Sequence, residues 1–145
     1  MEIRAAQQPD AAQIAKLLGQ LGYAATAEQV VARMARMAAE PGQHVLVAEV
    51  DGKVVGLTTL HIRHVISYDA PFARIASVVV DDGVRSQGIG GRLIDAVEAI
   101  ARQAGCERIE VTSGAHRTRA HEFYLRRGYA EFPRRFIKTL GPPVA

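Results

Sequence analysis

A glycine-rich loop between a strand-like and a helix-like segment is the most restrictive feature of this sequence of 145 residues. Gly88, Gly90 and Gly91 follow β-branched residues that end at Val80, and apolar residues at helical spacing come after them. Glycine permits a left-handed backbone and lets a ligand approach where a Cβ would collide. A helix N-terminus adds N–H groups and a partial positive charge that favour a phosphate. The segment therefore predicts a phosphate-binding turn, with a ligand-free turn as the alternative.

The hydrophobic pattern around this loop predicts a mixed α/β (α+β) fold, with one sheet covered by helices on both faces. Asp51-Gly52 between two β-rich runs indicates a tight hairpin. Thr26 with Gln29 forms a capping-box pattern at the start of the second helix. Strands are expected at 2–6, 44–50, 53–62, 72–80, 108–112 and 136–140, and helices at about 9–21, 26–40, 89–104 and 118–127.

Composition excludes several classes of protein. A single cysteine excludes a disulfide framework and a Cys-rich zinc site. No apolar run reaches membrane-spanning length, and the N-terminus lacks the apolar stretch of a signal peptide. The histidines lack a metal-ligand spacing such as His-Glu-x-x-His, so no metal is expected. The chain is predicted to be one soluble, cytoplasmic domain spanning residues 1–145.

The net charge of +3 is distributed unevenly along the chain. Residues 117–138 contain seven basic and two acidic side chains, which gives this segment +5. Such a segment favours an anionic ligand, with a solvated surface as the alternative. Nucleic acid is not the expected partner because aromatic stacking platforms and a known binding motif are missing.

Spacing narrows the choice of phosphate ligand. Gly83 and Gly88 have the first interval of a P-loop, but Ile89 and Gly90 stand where Lys and Ser/Thr are required. A dinucleotide fingerprint fails because Leu93 occupies the position of its third glycine. Both nucleotide-binding motifs are therefore excluded.

Two motifs resemble those of the GNAT superfamily of N-acetyltransferases. Residues 85–90 read Arg-Ser-Gln-Gly-Ile-Gly, similar to the Arg/Gln-x-x-Gly-x-Gly/Ala loop that binds the acetyl-CoA pyrophosphate in that family. Residues 120–129 read Ala-His-Glu-Phe-Tyr-Leu-Arg-Arg-Gly-Tyr, similar to the family's Ala-x-x-Phe-Tyr-x-x-x-Gly-Phe/Tyr. The order of elements matches over nearly the whole chain. The resemblance implies a mostly antiparallel sheet in which two strands splay apart to admit CoA.

The resemblance implies acetyl-CoA as the acetyl donor and assigns residues to it. The end of one strand would run beside pantetheine, and the glycine loop would bind the pyrophosphate. Many members carry Asn seven residues before the motif tyrosine, whereas this chain carries Arg, whose guanidinium can bind a phosphate instead. The implied cofactor-binding residues are Val78, Val79, Val80, Arg85, Ser86, Gln87, Gly88, Ile89, Gly90, Gly91 and Arg117.

The resemblance also implies direct attack by a primary amine on the thioester. Tyr124 matches the tyrosine that protonates the departing CoA thiolate in many members. A phenol with a pKa of about 10 is suited to that proton transfer. A base must take the proton of the amine, and spacing does not select among the candidates, which are Glu49, His61, His64, Asp69, Glu110, His116 and His121.

The acceptor is expected between the first two helices and the loop at 64–71, as in relatives. Tyr23, His64, Tyr68 and Asp69 are the candidates to line this site. Residues 112–117 and the Arg-rich helix after them look most like enzymes acting on small amines, including aminoalkylphosphonate and aminoglycoside types. The alternatives are a protein N-terminus or lysine as acceptor, or a catalytically silent CoA-binding regulatory module. Dimerisation is common in the family, so a homodimer is compatible with the resemblance.

Overall fold

The computed structural model of the protein describes residues 1–85, 87–112, 118–132 and 135–142, with Thr118 described by its backbone alone. The chain divides into two compact units, Met1–Thr112 and Ser113–Ala145, and each is described by itself. The strands of the described residues are β1 (Glu2–Ala5), β2 (Gln43–Val50), β3 (Lys53–Arg63), β4 (Phe72–Val80) and β5 (Arg108–Val111). The helices are α1 (Ala11–Leu21), α2 (Ala27–Ala38), α3 (Ile89–Gln103) and α4 (Thr118–Arg126).

The first unit contains an open five-stranded sheet in the order β1-β2-β3-β4-β5. The first three pairings are antiparallel, and β4 pairs with β5 in parallel. The predicted hairpin between β2 and β3 is confirmed, because Asp51 and Gly52 both have positive φ angles, 51° and 77°. The predicted fold class, a mixed and mostly antiparallel sheet, is confirmed as well.

Helices cover both faces of this sheet, as the sequence predicts. On one face, α1 and α2 pack against apolar side chains of the three central strands, and this core contains Ala11, Ile14, Leu17, Val30, Val47, Val54, Leu57 and Val79. On the other face, α3 packs against Ala48 and Val55 through Ile89 and Leu93. Adjacent residues, such as Val47 and Ala48 or Val79 and Val80, thus belong to different cores, which is the pattern expected for a sheet buried on both sides.

A partly buried ion cluster fixes the start of α1 against the sheet. The Arg4 guanidinium of β1 donates to both carboxylate oxygens of Asp10 at 2.8 and 2.9 Å and to Glu49 of β2 at 3.0 Å. The backbone N–H of Gln7 donates to the same Asp10 carboxylate at 2.7 Å. Arg4 and this N–H hold the pKa of Asp10 below its ordinary value despite burial. Asp10 therefore stays charged and ties the helix to two strands.

The second unit contains α4, which begins at Thr118 and ends at Arg126 before Gly128, whose φ is +91°. The prediction of a final strand at 136–140 is wrong, since these residues carry no strand in the structure. A strand exists only where a neighbour completes its hydrogen bonds, and among the described residues none pairs with this segment. Its large apolar side chains are exposed, namely Phe136, Ile137 and Leu140.

No helix of the described residues is long and apolar enough to cross a membrane. The single domain over 1–145, the cytoplasmic location and a homodimer stay predictions.

Candidate acetyl-CoA and acceptor site

The pairing between β4 and β5, at the edge of the sheet, ends partway along β4. Residues Phe72–Ile75 of β4 pair with Arg108–Val111 of β5, and β5 then ends while β4 continues to Val80. On its other side β4 remains paired with β3 up to Val80. We call the point where β5 ends, at Ile75 and Val111, the fork. Beyond the fork, one edge of β4 has no strand partner among the described residues.

A β-bulge marks the beginning of this unpaired edge. Thr59 of β3 pairs with Ser77, and Leu60 pairs with Ile75, so Ala76 is the extra residue of β4. Ala76 is exposed although its neighbour Ile75 is fully buried. Bulges end regular pairing and re-aim the backbone. The unpaired N–H and C=O groups of an edge strand can bind an extended ligand as they would bind another strand.

The glycine loop follows the unpaired edge directly. A single 3₁₀ turn at Asp82–Val84 leads to Gly88, which is the N-cap of α3 with a φ of +78°. Only glycine adopts this conformation at little cost. The N–H of Arg92 closes the first helical turn on the Gly88 carbonyl at 3.1 Å. The loop thus delivers the N-terminus of a helix of 15 residues to the end of β4, where an anion is favoured.

Two side chains of the loop are held by other residues. The Arg85 guanidinium forms an ion pair with Asp82 at 2.6 Å and donates to the Val80 carbonyl at 3.5 Å. Asp81 accepts a hydrogen bond from the Gln20 amide at 2.7 Å, and the Gln20 carbonyl accepts from the Asp82 N–H at 2.9 Å. The Gln20 amide, and next the positive charge of Lys16, lower the pKa of Asp81. Gln20 therefore joins the C-terminal part of α1 to the loop.

The valines before the loop are part of the cores. Val79 is 5% exposed and packs against α1 and α2, whereas Val80 packs against the cluster that contains Ile89 of α3. The side chains of these residues are therefore occupied by packing. What Val79 and Val80 can offer a ligand is therefore the backbone.

Tyr124 lies in α4 of the second unit, among other aromatic rings. Its ring is in edge contact with Phe123 and with Tyr129, at centroid distances of 5.3 and 5.6 Å. The Tyr124 carbonyl accepts hydrogen bonds from the N–H groups of Arg127 and Tyr129, both at 3.0 Å. These contacts fix the end of α4 and the backbone position from which the Tyr124 side chain extends.

The predicted acceptor residues do not form one cluster. Tyr23 follows α1 three residues after Gln20, which contacts the loop directly after β4, and the Tyr23 side chain is 67% exposed. His64, Tyr68 and Asp69 lie in the loop before β4, near the opposite end of the strand. A strand of nine residues is about 27 Å long. Tyr23 and the other three residues thus lie at different ends of β4.

Tyr68 makes contacts of its own at that far end. Arg108 of β5 donates a hydrogen bond to the Tyr68 hydroxyl, and its guanidinium carbon lies 4.3 Å from the centre of the ring. The two side chains line a shallow pocket together with Ala70, Pro71, Phe72 and Glu107. The structure thus shows a small polar pocket where β4 and β5 begin.

Two of the cofactor residues predicted from the sequence, Ser86 and Arg117, lie outside the described residues, and so does the base candidate His116. Sequence reasoning missed Gln20, since nothing in its position signals a contact with a loop 61 residues further along the chain. It also missed Arg74. A charged residue inside a mostly apolar strand is a signal of a functional side chain, and it could have identified Arg74. Within the part of the chain that the structure describes, no group of His, Cys, Asp and Glu side chains could hold a metal ion.

Comparison with models of protein families identifies the family of this chain. The sequence model of the Acetyltransferase (GNAT) family matches residues 12–129. That match covers most of the chain, and the protein therefore belongs to the GNAT acetyltransferase family.

Individual proteins and solved structures resemble this chain as well. An aminoalkylphosphonate N-acetyltransferase from Salmonella typhimurium is 38% identical over 101 residues, which cover 70% of this chain and 66% of that enzyme, slightly less than two thirds of its length. An acetyltransferase structure from Trypanosoma brucei is 26% identical, with a TM-score of 0.81 over 96% of this chain and 99% of that one. An aminoglycoside N-acetyltransferase solved in complex with CoA is 20% identical and shares the fold, with a TM-score of 0.82 over 95% and 93% of the two chains.

Proposed function

We propose that this protein transfers the acetyl group of acetyl-CoA to the primary amine of a small molecule. The observation that carries the proposal is the continuity of two features in the first unit. The unpaired edge of β4, from Ala76 to Val80, leads directly into the glycine loop at the N-terminus of α3. An extended chain that ends in phosphates matches this succession of an edge strand and an anion-binding helix end. Pantetheine and the pyrophosphate of acetyl-CoA form such a chain.

The donor site is assigned to backbone groups and to a few cations. The backbone of Val78, Val79 and Val80 would hydrogen-bond the pantetheine amides, and the N–H groups of the loop from Arg85 to Gly91 would bind the pyrophosphate. The loop residues concerned are Arg85, Ser86, Gln87, Gly88, Ile89, Gly90 and Gly91. Arg117 is proposed as a further phosphate contact. Since Asp82 already neutralises Arg85, we expect the backbone to contribute more than this guanidinium.

The reaction is proposed to be direct transfer. The neutral amine attacks the thioester carbon, a C–N bond forms and the C–S bond breaks. Tyr124 gives its phenolic proton to the sulfur of the departing CoA, and the proton of the amine passes to a base or water. The proposal requires the Tyr124 hydroxyl to reach that sulfur. The N–H groups at the N-terminus of α3 and the positive charge of the basic segment at 117–138 both suit a donor with several phosphates.

A small amine is the proposed acceptor class. Two of the relatives act on small amines according to their names, an aminoalkylphosphonate N-acetyltransferase and an aminoglycoside N-acetyltransferase. The proposed acceptor residues remain Tyr23, His64, Tyr68 and Asp69. Because Tyr23 lies at one end of β4 and the other three lie at the opposite end, one small molecule would contact either Tyr23 or the other three.

An assay of thiol release tests the proposal. The protein is mixed with acetyl-CoA and, in separate reactions, with ethanolamine, 2-aminoethylphosphonate, an aminoglycoside and a lysine-containing peptide, and free CoA is followed with a chromogenic thiol reagent. We expect release that depends on a small amine, with N-acetylated product found by mass spectrometry. Preferential acetylation of the peptide would replace the small-molecule acceptor by a protein acceptor. Tight binding of acetyl-CoA with no release across the panel would identify a silent CoA-binding module instead.

A further inference from the structure

A row of polar side chains crosses the sheet immediately before the fork. The Cα of Arg74 in β4 is paired with that of His61 in β3 on one side and with that of Glu110 in β5 on the other. Residues directly opposite each other on neighbouring strands point to the same face of a sheet. The three side chains therefore lie side by side on one face, one residue before the pairing of β4 and β5 ends.

This row lies on the face that α1 and α2 cover. Leu57 packs in the core under α1 and α2, and successive side chains of a strand alternate between faces, which puts Thr59 and His61 on the same side. Val45, the partner of Thr59 on β2, packs against that core as well. The opposite face, under α3, contains the fully buried Leu60 and Ile75, which pair with each other one step from the row toward the fork.

The Arg74 guanidinium has few partners for its five N–H donors. Its Nε lies 3.7 Å from a Glu110 oxygen, which is too far for a hydrogen bond, and its Nη2 donates to the Thr112 hydroxyl at 3.3 Å. Its Nε is shielded from solvent and has no hydrogen-bond partner among the described residues. The side chains of Arg74 and Glu110 remain 37% and 50% exposed. This contact is therefore a loose ion pair of little stability, and the cation is open to a ligand.

We propose that Arg74 binds an anionic group of the acceptor, so that the preferred acceptors are small primary amines that carry a phosphonate, phosphate or carboxylate. The inference rests on the proposed function and names the substrate class of the same site. Arg74 lies two residues, about 7 Å, from the start of the unpaired β4 edge at Ala76. An amine that attacks a thioester held at the fork would leave an anionic group on a short linker within reach of Arg74.

The neighbouring groups fit this assignment. A guanidinium binds phosphonate or carboxylate oxygens through two parallel hydrogen bonds. Glu110 can turn to the solvent when the anion displaces it, because half of its side chain is already exposed. Glu110 also offers a carboxylate to the ammonium form of the acceptor before it loses its proton. A zwitterionic amine is thus complementary to a row that contains both a cation and an anion.

Kinetics with matched acceptors test the proposal. The substrates are 2-aminoethylphosphonate, β-alanine and ethanolamine, which differ in having a phosphonate, a carboxylate or a neutral hydroxyl beside a similar amine. The wild-type protein should have a lower KM for each of the two anionic amines than for ethanolamine. In Arg74→Gln the KM for 2-aminoethylphosphonate should rise about tenfold or more, because a charge-assisted contact is lost. The KM for ethanolamine and for acetyl-CoA should change less than about twofold, and Arg74→Lys should restore part of the discrimination.

Arg102→Gln is the matched control. It removes the same charge from the end of α3, on the other side of the sheet, where Arg102 is 75% exposed and forms a long ion pair with Glu98. It should leave all three KM values unchanged. A wild-type preference for ethanolamine, or an Arg74→Gln variant that weakens all three acceptors equally, would overturn the proposal. The unfolding midpoint of each variant shows whether a general loss reflects folding.

A binding measurement separates this inference from the proposed function. The ³¹P resonance of 2-aminoethylphosphonate is followed as protein is added. Broadening that is lost in Arg74→Gln and kept in Arg102→Gln supports the anion site even if no acetyl transfer occurs. If transfer to neutral amines occurs while the phosphonate resonance stays sharp, the enzyme activity stands and the anion site is rejected.

Discussion

Gly88→Glu should raise the Kd for acetyl-CoA at least about 30-fold. The substitution places a carboxylate at the N-cap of α3, where the pyrophosphate of acetyl-CoA is proposed to bind. Two phosphate charges near 4 Å repel a carboxylate by about 1 kcal/mol each even in bulk water, and about 2 kcal/mol corresponds to that loss of affinity. Calorimetric titration of both proteins with acetyl-CoA measures the change.

Gly105→Glu is a matched control for this variant. Gly105 lies just beyond the other end of the same helix, has a φ of +86°, and an added Cβ would meet nothing within 4 Å, as at Gly88. Both substitutions therefore introduce the same charge and a similar backbone strain. Gly105→Glu should bind acetyl-CoA as the wild type does. Equal weakening by the two variants would show that strain or net charge acts rather than the loop.

Tyr124→Phe should lower kcat by about 100-fold or more while the Kd for acetyl-CoA stays within about twofold. A positioned general acid contributes roughly that factor, and phenylalanine keeps the ring without the proton. The ring contacts with Phe123 and Tyr129 do not require the hydroxyl. Thiol release with the best acceptor of the panel gives kcat, and calorimetry gives the Kd.

Tyr129→Phe is the control for the loss of a hydroxyl from the same aromatic cluster. Tyr129 touches Tyr124 edge to face and is not assigned to catalysis. Its substitution should leave kcat nearly unchanged. An unchanged kcat in Tyr124→Phe would contradict the role of Tyr124 as the acid, and an equal loss in both variants would indicate that the cluster acts through packing.

Local patterns in the sequence were sufficient for most of the fold. The hairpin at Asp51-Gly52 and the capping box at Thr26 and Gln29 both form as predicted, because each depends on residues that are close along the chain. The prediction of a strand at 136–140 is wrong because a strand also depends on residues that are distant along the chain. Aromatic and β-branched residues such as Phe136 and Ile137 favour an extended chain, but a strand also needs a partner, and a local pattern does not say whether one is present.

The site depends on contacts that are distant in sequence, and these were only partly predictable. The glycine loop could be predicted because a strand end, three glycines and a helix start are contiguous. The row through Arg74 requires the register of three strands, and the bulge at Ala76 shifts that register by one residue. The Gln20 contact with Asp81 requires the packing of α1 against the sheet. Neither can be derived from periodicity alone.

Hydrogen exchange with and without acetyl-CoA shows whether the unpaired edge of β4 and the glycine loop bind the acetyl donor. Peptides that cover Ala76–Val80 and the loop into the first turn of α3 should gain protection when acetyl-CoA is added, because their N–H groups acquire partners. Peptides from α2, which covers the sheet away from the loop, should not change. Protection confined to other segments, or none at these two, would show that acetyl-CoA binds elsewhere.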